Sequence, residues 1–257
     1  DGQYSVAMDY ARRCAAQLDA EKVQFMLAGV VPMGAVYLEA FACQPWHVMV
    51  RFGKWEDVLA EPIPEEKDIF PSVIATAHYA RGVAYAALGN VSEAEKEQAA
   101  FAAAYANPAL DGRLMHNNKM VDREGTCSVL QVAEAVLAGE IEYRKANYDV
   151  AYDHLREAVR RDINLVYDEP WGWMMPARHA LGALLLEQGH HEEAREVFEA
   201  DLGQYMDNMW SLRGFVECLR QSGAPAEELA AAEAKLATAS ARNEEQFERA
   251  CYCANQG

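Results

Sequence analysis

Histidine and cysteine are the side chains in this sequence best suited to hold a metal or to serve as base or nucleophile. The histidines are His47, His78, His116, His154, His179, His190 and His191; the cysteines are Cys14, Cys43, Cys127, Cys218, Cys251 and Cys253. A metal-binding helix face needs two histidines four apart, and neither His-x-x-x-His nor His-Glu-x-x-His occurs. Cys-x-x-Cys is also absent, and Cys251 and Cys253, two apart on a helix, would point to different sides. A metal site would therefore have to assemble in tertiary structure, from His47, His116 or His179 with a carboxylate. The Gly-x-Gly-x-x-Gly, Walker-type and Gly-x-Ser-x-Gly patterns are missing. The sequence thus orders no catalytic group and calls for no cofactor.

The elements that would carry these side chains are helices. Apolar residues make up 51% of the 257, with 16 glycines and 9 prolines, and no sustained apolar–polar alternation argues for sheet. Residues 178–215 set the pattern. Gly182, Gly189 and Ala194 are spaced seven and five apart, and Gly214 follows Gly182 by 32 residues. Gly82, Gly89 and Ala94 repeat the seven and the five. Gly139 and Ala151 fall on the same template, with Ala146 where a glycine is expected. Small residues at matched offsets let the second helix of a pair approach the first closely. The spacing predicts pairs over 33–60, 72–105, 128–161, 176–205 and 208–241. A half unit (1–20) precedes them and a polar cap or frayed tail (243–257) follows. Pro45 must kink or break the helix over 33–51. Residues 60–71, 106–127 and 162–175 read as linkers or insertions, rich in turn residues.

This template resembles the tetratricopeptide repeat family, whose period is about 34 residues. The resemblance implies an all-α fold: a right-handed α-α superhelix of antiparallel helix pairs in one domain over 1–257. A narrower likeness rests on Arg51-Phe52-Gly53-Lys54-Trp55, on Glu169, Pro170, Trp173, Pro176, Arg178, Leu181 and Gly182, and on Asn208, Trp210, Ser211, Leu212 and Gly214. These look like the C-terminal half of longer, largely uncharacterised tetratricopeptide proteins, whose other half carries histidine motifs not seen here. The family implies a binding scaffold without a specific ligand.

First helices of such pairs line a concave groove. Reading three residues before and five after the template glycines assigns Tyr79, His179, Ser211, Arg144 and Glu187 to it. Aligning Gly53 with Gly189 puts Cys43, His47 and Arg51 on one side and adds His47 and Arg51 to the groove, and Glu140 and Tyr143 complete it. This mixed-charge lining suits a peptide with a carboxylate group. The leading expectation is a scaffold for a protein or peptide partner. The second is a structural subunit or homo-oligomer assembling through an uncapped start at residues 2–19. The third is a small-molecule or metal-binding protein using groove histidines. Trp171 and Trp173 are expected to plug a repeat junction.

The net charge of −17 repels phosphate backbones and anionic membranes, so nucleic acid is not an expected partner. No apolar run reaches the ~18 residues of a membrane span. No basic, apolar leader is visible, and the compartment stays open, leaning to the cytoplasm.

Overall fold

The computed structural model describes residues 2–29, 32–125, 127–169, 171–244 and 249–252. Where the sequence reading runs a single repeat domain through the chain, the structure divides into two compact units. One is Ala7–Met175; the other is Asp1–Val6 with Pro176–Gly257.

The helical start differs from the sequence expectation. Helix α1 (Tyr4–Ala15) stops short, because the Asp19 carboxylate accepts a hydrogen bond from the Lys22 amide at 2.9 Å and opens α2 (Ala20–Ala28). The expected helix over 33–51 is three pieces: α3 (Pro32–Leu38), a 3-10 turn (Glu39–Cys43) and α4 (Gln44–Arg51). Pro45 lies in the first turn of α4, where its missing N–H leaves no bond unmade, so the proline opens a helix. Gly53, at φ 63°, turns the chain into α5 (Trp55–Ala60), and Pro62 and Pro64 follow its end.

Four helix pairs follow. They are α6 (Pro71–Ala87) with α7 (Val91–Tyr105), α8 (Val129–Arg144) with α9 (Tyr148–Asp162), α10 (Ala177–Glu187) with α11 (His191–Gln204), and α12 (Met209–Ser222) with α13 (Ala226–Ala239). Each connection is a few residues long, which forces the two helices to run antiparallel. The turns need a left-handed residue, supplied by Gly89, Gly189 and Gly223 at φ 76°, 83° and 66°. Between α8 and α9 that position is Ala146, held at φ 60°.

The two insertions have structure of their own. Residues 106–127 contain a 3-10 turn (Pro108–Leu110) and a two-stranded hairpin, β1 (Leu114–Met115) and β2 (Asn118–Lys119). Asp168, from the second insertion, is buried against this hairpin. It accepts hydrogen bonds from the Asn117 amide at 3.1 Å, from Asn117 Nδ2 at 2.6 Å and from Asn118 Nδ2. Trp173 is 3% exposed and packs edge-on to His47 and Tyr79, as a plug should, whereas Trp171 turns outward.

Of the expected cap over 243–257, residues 245–248 and 253–257 lie outside the described residues. Glu244 meets the start of α1: its carboxylate accepts from the Ser5 amide at 2.7 Å, and its own amide donates to the Gly2 carbonyl at 3.0 Å. Glu244 thus caps the first turn of α1 from within its own unit.

Candidate functional site

The nine groove residues divide between the two units. His47, Arg51, Tyr79, Glu140, Tyr143 and Arg144 belong to one, and His179, Glu187 and Ser211 to the other. Most are interior. His47, Tyr79, Glu140, Tyr143, His179 and Ser211 are buried, while Arg51, Arg144 and Glu187 are partly exposed.

The reason is visible at α11. A Cβ at Gly182 would lie 2.7 Å from Phe198 Cζ, and a Cβ at Gly214 would collide with the same ring. Phe198 is thus wedged between α10 and α12. A residue three before a helical glycine shares its face, so His179 and Ser211 point where Gly182 and Gly214 point, toward α11. They meet Asp201, which is three residues after Phe198. His179 Nε2 lies 2.9 Å from Asp201 Oδ2, and the Ser211 hydroxyl donates to the same oxygen. Burial alone would raise the Asp201 carboxyl. The His179 hydrogen bond and charge, the Ser211 hydroxyl and the Arg178 charge together hold it below its usual range.

Ser, His and Asp here do not make a nucleophile. The carboxylate sits between the other two, so the serine proton is given to Asp201 and not to an imidazole base. All three are inaccessible, at 2% exposure or less. The cluster ties α10, α11 and α12 together. Asp201 escaped the sequence reading, although Ala194, Phe198 and Asp201 stand at i, i+4 and i+7 on one helix face.

A second polar row runs through the other unit. Glu39, Cys43 and His47 are spaced by four and face α6. Glu39 Oε1 accepts from the Ser72 and Val73 amides, both at 3.1 Å, and so caps α6 from another helix. Burial pushes its carboxyl up to about 7, against the pull of Ser72, Arg113 and the amides. Cys43 is hydrogen-bonded to the Thr76 side chain, and its thiol is raised by burial and by Glu39. His47 packs edge-on against Trp173, with ring centres 5.5 Å apart, and burial lowers it to about 4. Tyr79 meets the other side of the contact, 5.2 Å from Trp173. The expectation placed Cys43, His47 and Arg51 together but missed Glu39, one turn earlier.

On α8, Tyr143 packs 5.1 Å from Tyr148, and Arg144 lies 5.3 Å over the Tyr143 ring. The metal candidates keep separate company: His47 on Trp173, His116 edge-on to Phe41 at 4.7 Å, and His179 on Asp201. Among the described residues no group of three or more His, Cys, Asp or Glu is placed to hold a metal ion. Cys14, Cys43, Cys127, Cys218 and Cys251 are free thiols, and Cys253 lies outside the described residues.

Glu187 opens onto a cavity. It lies on α10 with Ala183 and Leu186, and α12 contributes Arg213, Glu217 and Arg220 to the same space of about 540 Å³. Arg220 is held there by Glu217 at 3.5 Å and by Glu233 at 2.7 Å.

Antiparallel pairs with small residues at the crossings and short left-handed turns define an all-α helical-repeat protein of the solenoid type. The tetratricopeptide repeat family model matches residues 75–95 and 175–200, which fall on the α6–α7 and α10–α11 pairs. Over these two segments the chain is similar to that family. No curated protein and no solved structure gives a significant match. Tetratricopeptide repeats generally mediate protein–protein interaction. No helix among the described residues is long and apolar enough to cross a membrane.

Proposed function

We propose that this protein is a scaffold that holds a segment of a protein partner in the cavity between α10 and α12. The supporting observation is the lining itself. Ala183 and Leu186 supply an apolar floor, and Glu187, Arg213, Glu217 and Arg220 supply charges of both signs. Such a lining accepts an extended or helical peptide with a carboxylate and an apolar side chain. Of the sequence-derived groove, Glu187 belongs to this surface. Arg51 and Arg144 are candidates for a contact on the other unit, and the buried members act by holding the helices that carry the surface.

A photo-crosslinking residue at Leu186, compared with one at the exposed Ala237 of α13, tests the proposal in cells. One protein partner should be captured from position 186 and not from 237. Ala183→Trp, which fills the cavity, should abolish that capture. A partner captured equally from both positions, or retained by the Ala183→Trp variant, would move the site elsewhere.

A further inference from the structure

The two insertions that break the repeat spacing are built as one object. Beyond the Asp168 bonds, Asn118 pairs with both backbone groups of Val166: Nδ2 donates to its carbonyl at 2.8 Å, and Oδ1 accepts its amide at 2.7 Å. A Cβ at Gly172 would come within 2.7 Å of Asn118 Nδ2, so the loop passes directly over that side chain. Trp173 then anchors the far end among His47 and Tyr79. The loop is thus fastened on both sides of its exposed residues, at Val166 and Asp168 and again at Gly172 and Trp173.

What it presents is apolar. Ile163, Val166 and Tyr167 are exposed, Tyr167 by 74%, and Trp171 by 42%. Fixing such groups in water gains nothing for the fold itself, and exposed tyrosine and tryptophan on a rigid support are the residues that most often dominate interface energy. The patch also has a sign. The Tyr167 hydroxyl donates to the exposed Glu169 carboxylate, which places a negative charge beside the ring. The cations just before the loop are already taken, Arg160 by Glu157 at 2.6 Å and Arg161 by Glu157 at 2.8 Å.

We propose that Ile163, Val166, Tyr167, Glu169 and Trp171 form a second docking surface, for a protein segment that alternates basic and apolar side chains. Its arginine or lysine lies against the Tyr167 and Trp171 rings and pairs with Glu169. Its apolar residues cover Ile163 and Val166. The proposal does not depend on the cavity between α10 and α12.

The test uses the full chain and two labelled synthetic peptides of equal length, one alternating leucine with arginine and one alternating leucine with glutamate. Binding is measured by anisotropy near physiological salt. The arginine peptide should bind, the glutamate peptide should bind at least tenfold more weakly, and the amide shifts of Ile163, Val166, Tyr167, Glu169 and Trp171 should move. Glu169→Lys with Trp171→Ala should weaken binding at least tenfold. The control, Glu196→Lys with Leu88→Ala, alters an equal charge and an exposed apolar group elsewhere and should leave binding unchanged. The proposal is overturned if the arginine peptide fails to bind, if both peptides bind alike, or if the control loses as much as the double variant.

Discussion

The ring of Phe198 occupies the space that a side chain at Gly182 would need, with the hypothetical Cβ only 2.7 Å from Cζ. The same ring blocks Gly214, one repeat later. Helical glycine costs about 1 kcal/mol relative to alanine, and here that cost is offset by an aromatic ring shared between two first helices.

Adding the methyl group at Gly182 or Gly214 should therefore destabilise, by about 1–3 kcal/mol, because a buried ring must shift. Gly203, also helical, has nothing within 4 Å of its would-be Cβ. Gly203→Ala should stabilise by about 0.5–1 kcal/mol. Urea unfolding of the three variants checks the contrast in sign, and equal effects at all three positions would refute the wedge.

Ala146 holds a left-handed φ of 60° in the turn where the other pairs use glycine. Left-handed backbone costs a residue with a Cβ about 1 kcal/mol or more. Ala146→Gly should raise stability by about 1 kcal/mol, and Gly89→Ala should lower it by a similar amount. Thermal melts of both variants measure this.

Asp201 is held below its ordinary range in the folded state, so its contribution is present above the unfolded carboxylate pKa, near pH 4. It is lost as pH falls through the lower folded value. Asp201→Asn should cost about 2–4 kcal/mol at pH 7 by breaking the bridge to His179 and Ser211. That cost should shrink as the pH is brought below 4. A cost independent of pH would mean that the carboxylate charge plays no part.

Glu39 and His47 should produce opposing slopes. Glu39 titrates near 7 when folded and near 4.5 when unfolded, so its contribution is intact below pH 4.5 and lost as pH rises to 7. His47 stays neutral down to about 4 when folded but gains a proton near 6.5 when unfolded, so stability falls as pH drops from 6.5 to 4. Each is worth on the order of 3 kcal/mol at most. Between pH 4.5 and 6.5 the two offset each other. Glu39→Gln should leave a curve that only rises with pH across this range, and His47→Gln one that only falls. Chemical denaturation at several pH values separates them.

The helix pairs were legible because small residues recur at seven and five, and left-handed turns need glycine. Those are local requirements, written within a dozen residues of one another. The start of the chain was less legible: the Asp19 cap and the Pro45 helix start are local signals, but they were hidden inside apolar stretches long enough to read as single helices. The groove was the least legible. By spacing alone a residue three before a glycine reads as open surface, yet it shares the glycine's face and points into the neighbouring helix. Asp201 and Glu39 carry no local signal, because each finds its partners on other helices.

The sequence by itself determined that this chain is helical, that it repeats, and where its turns and insertions fall, since each rests on backbone preferences of near neighbours. Only the tertiary structure decided that His179 and Ser211 close on Asp201, that Trp173 turns inward while Trp171 turns out, and that the two insertions lock through Asp168 and Asn118. Such pairings depend on how helices rotate against one another and on segments without a repeat to set their register, and neither is encoded in spacing along the chain.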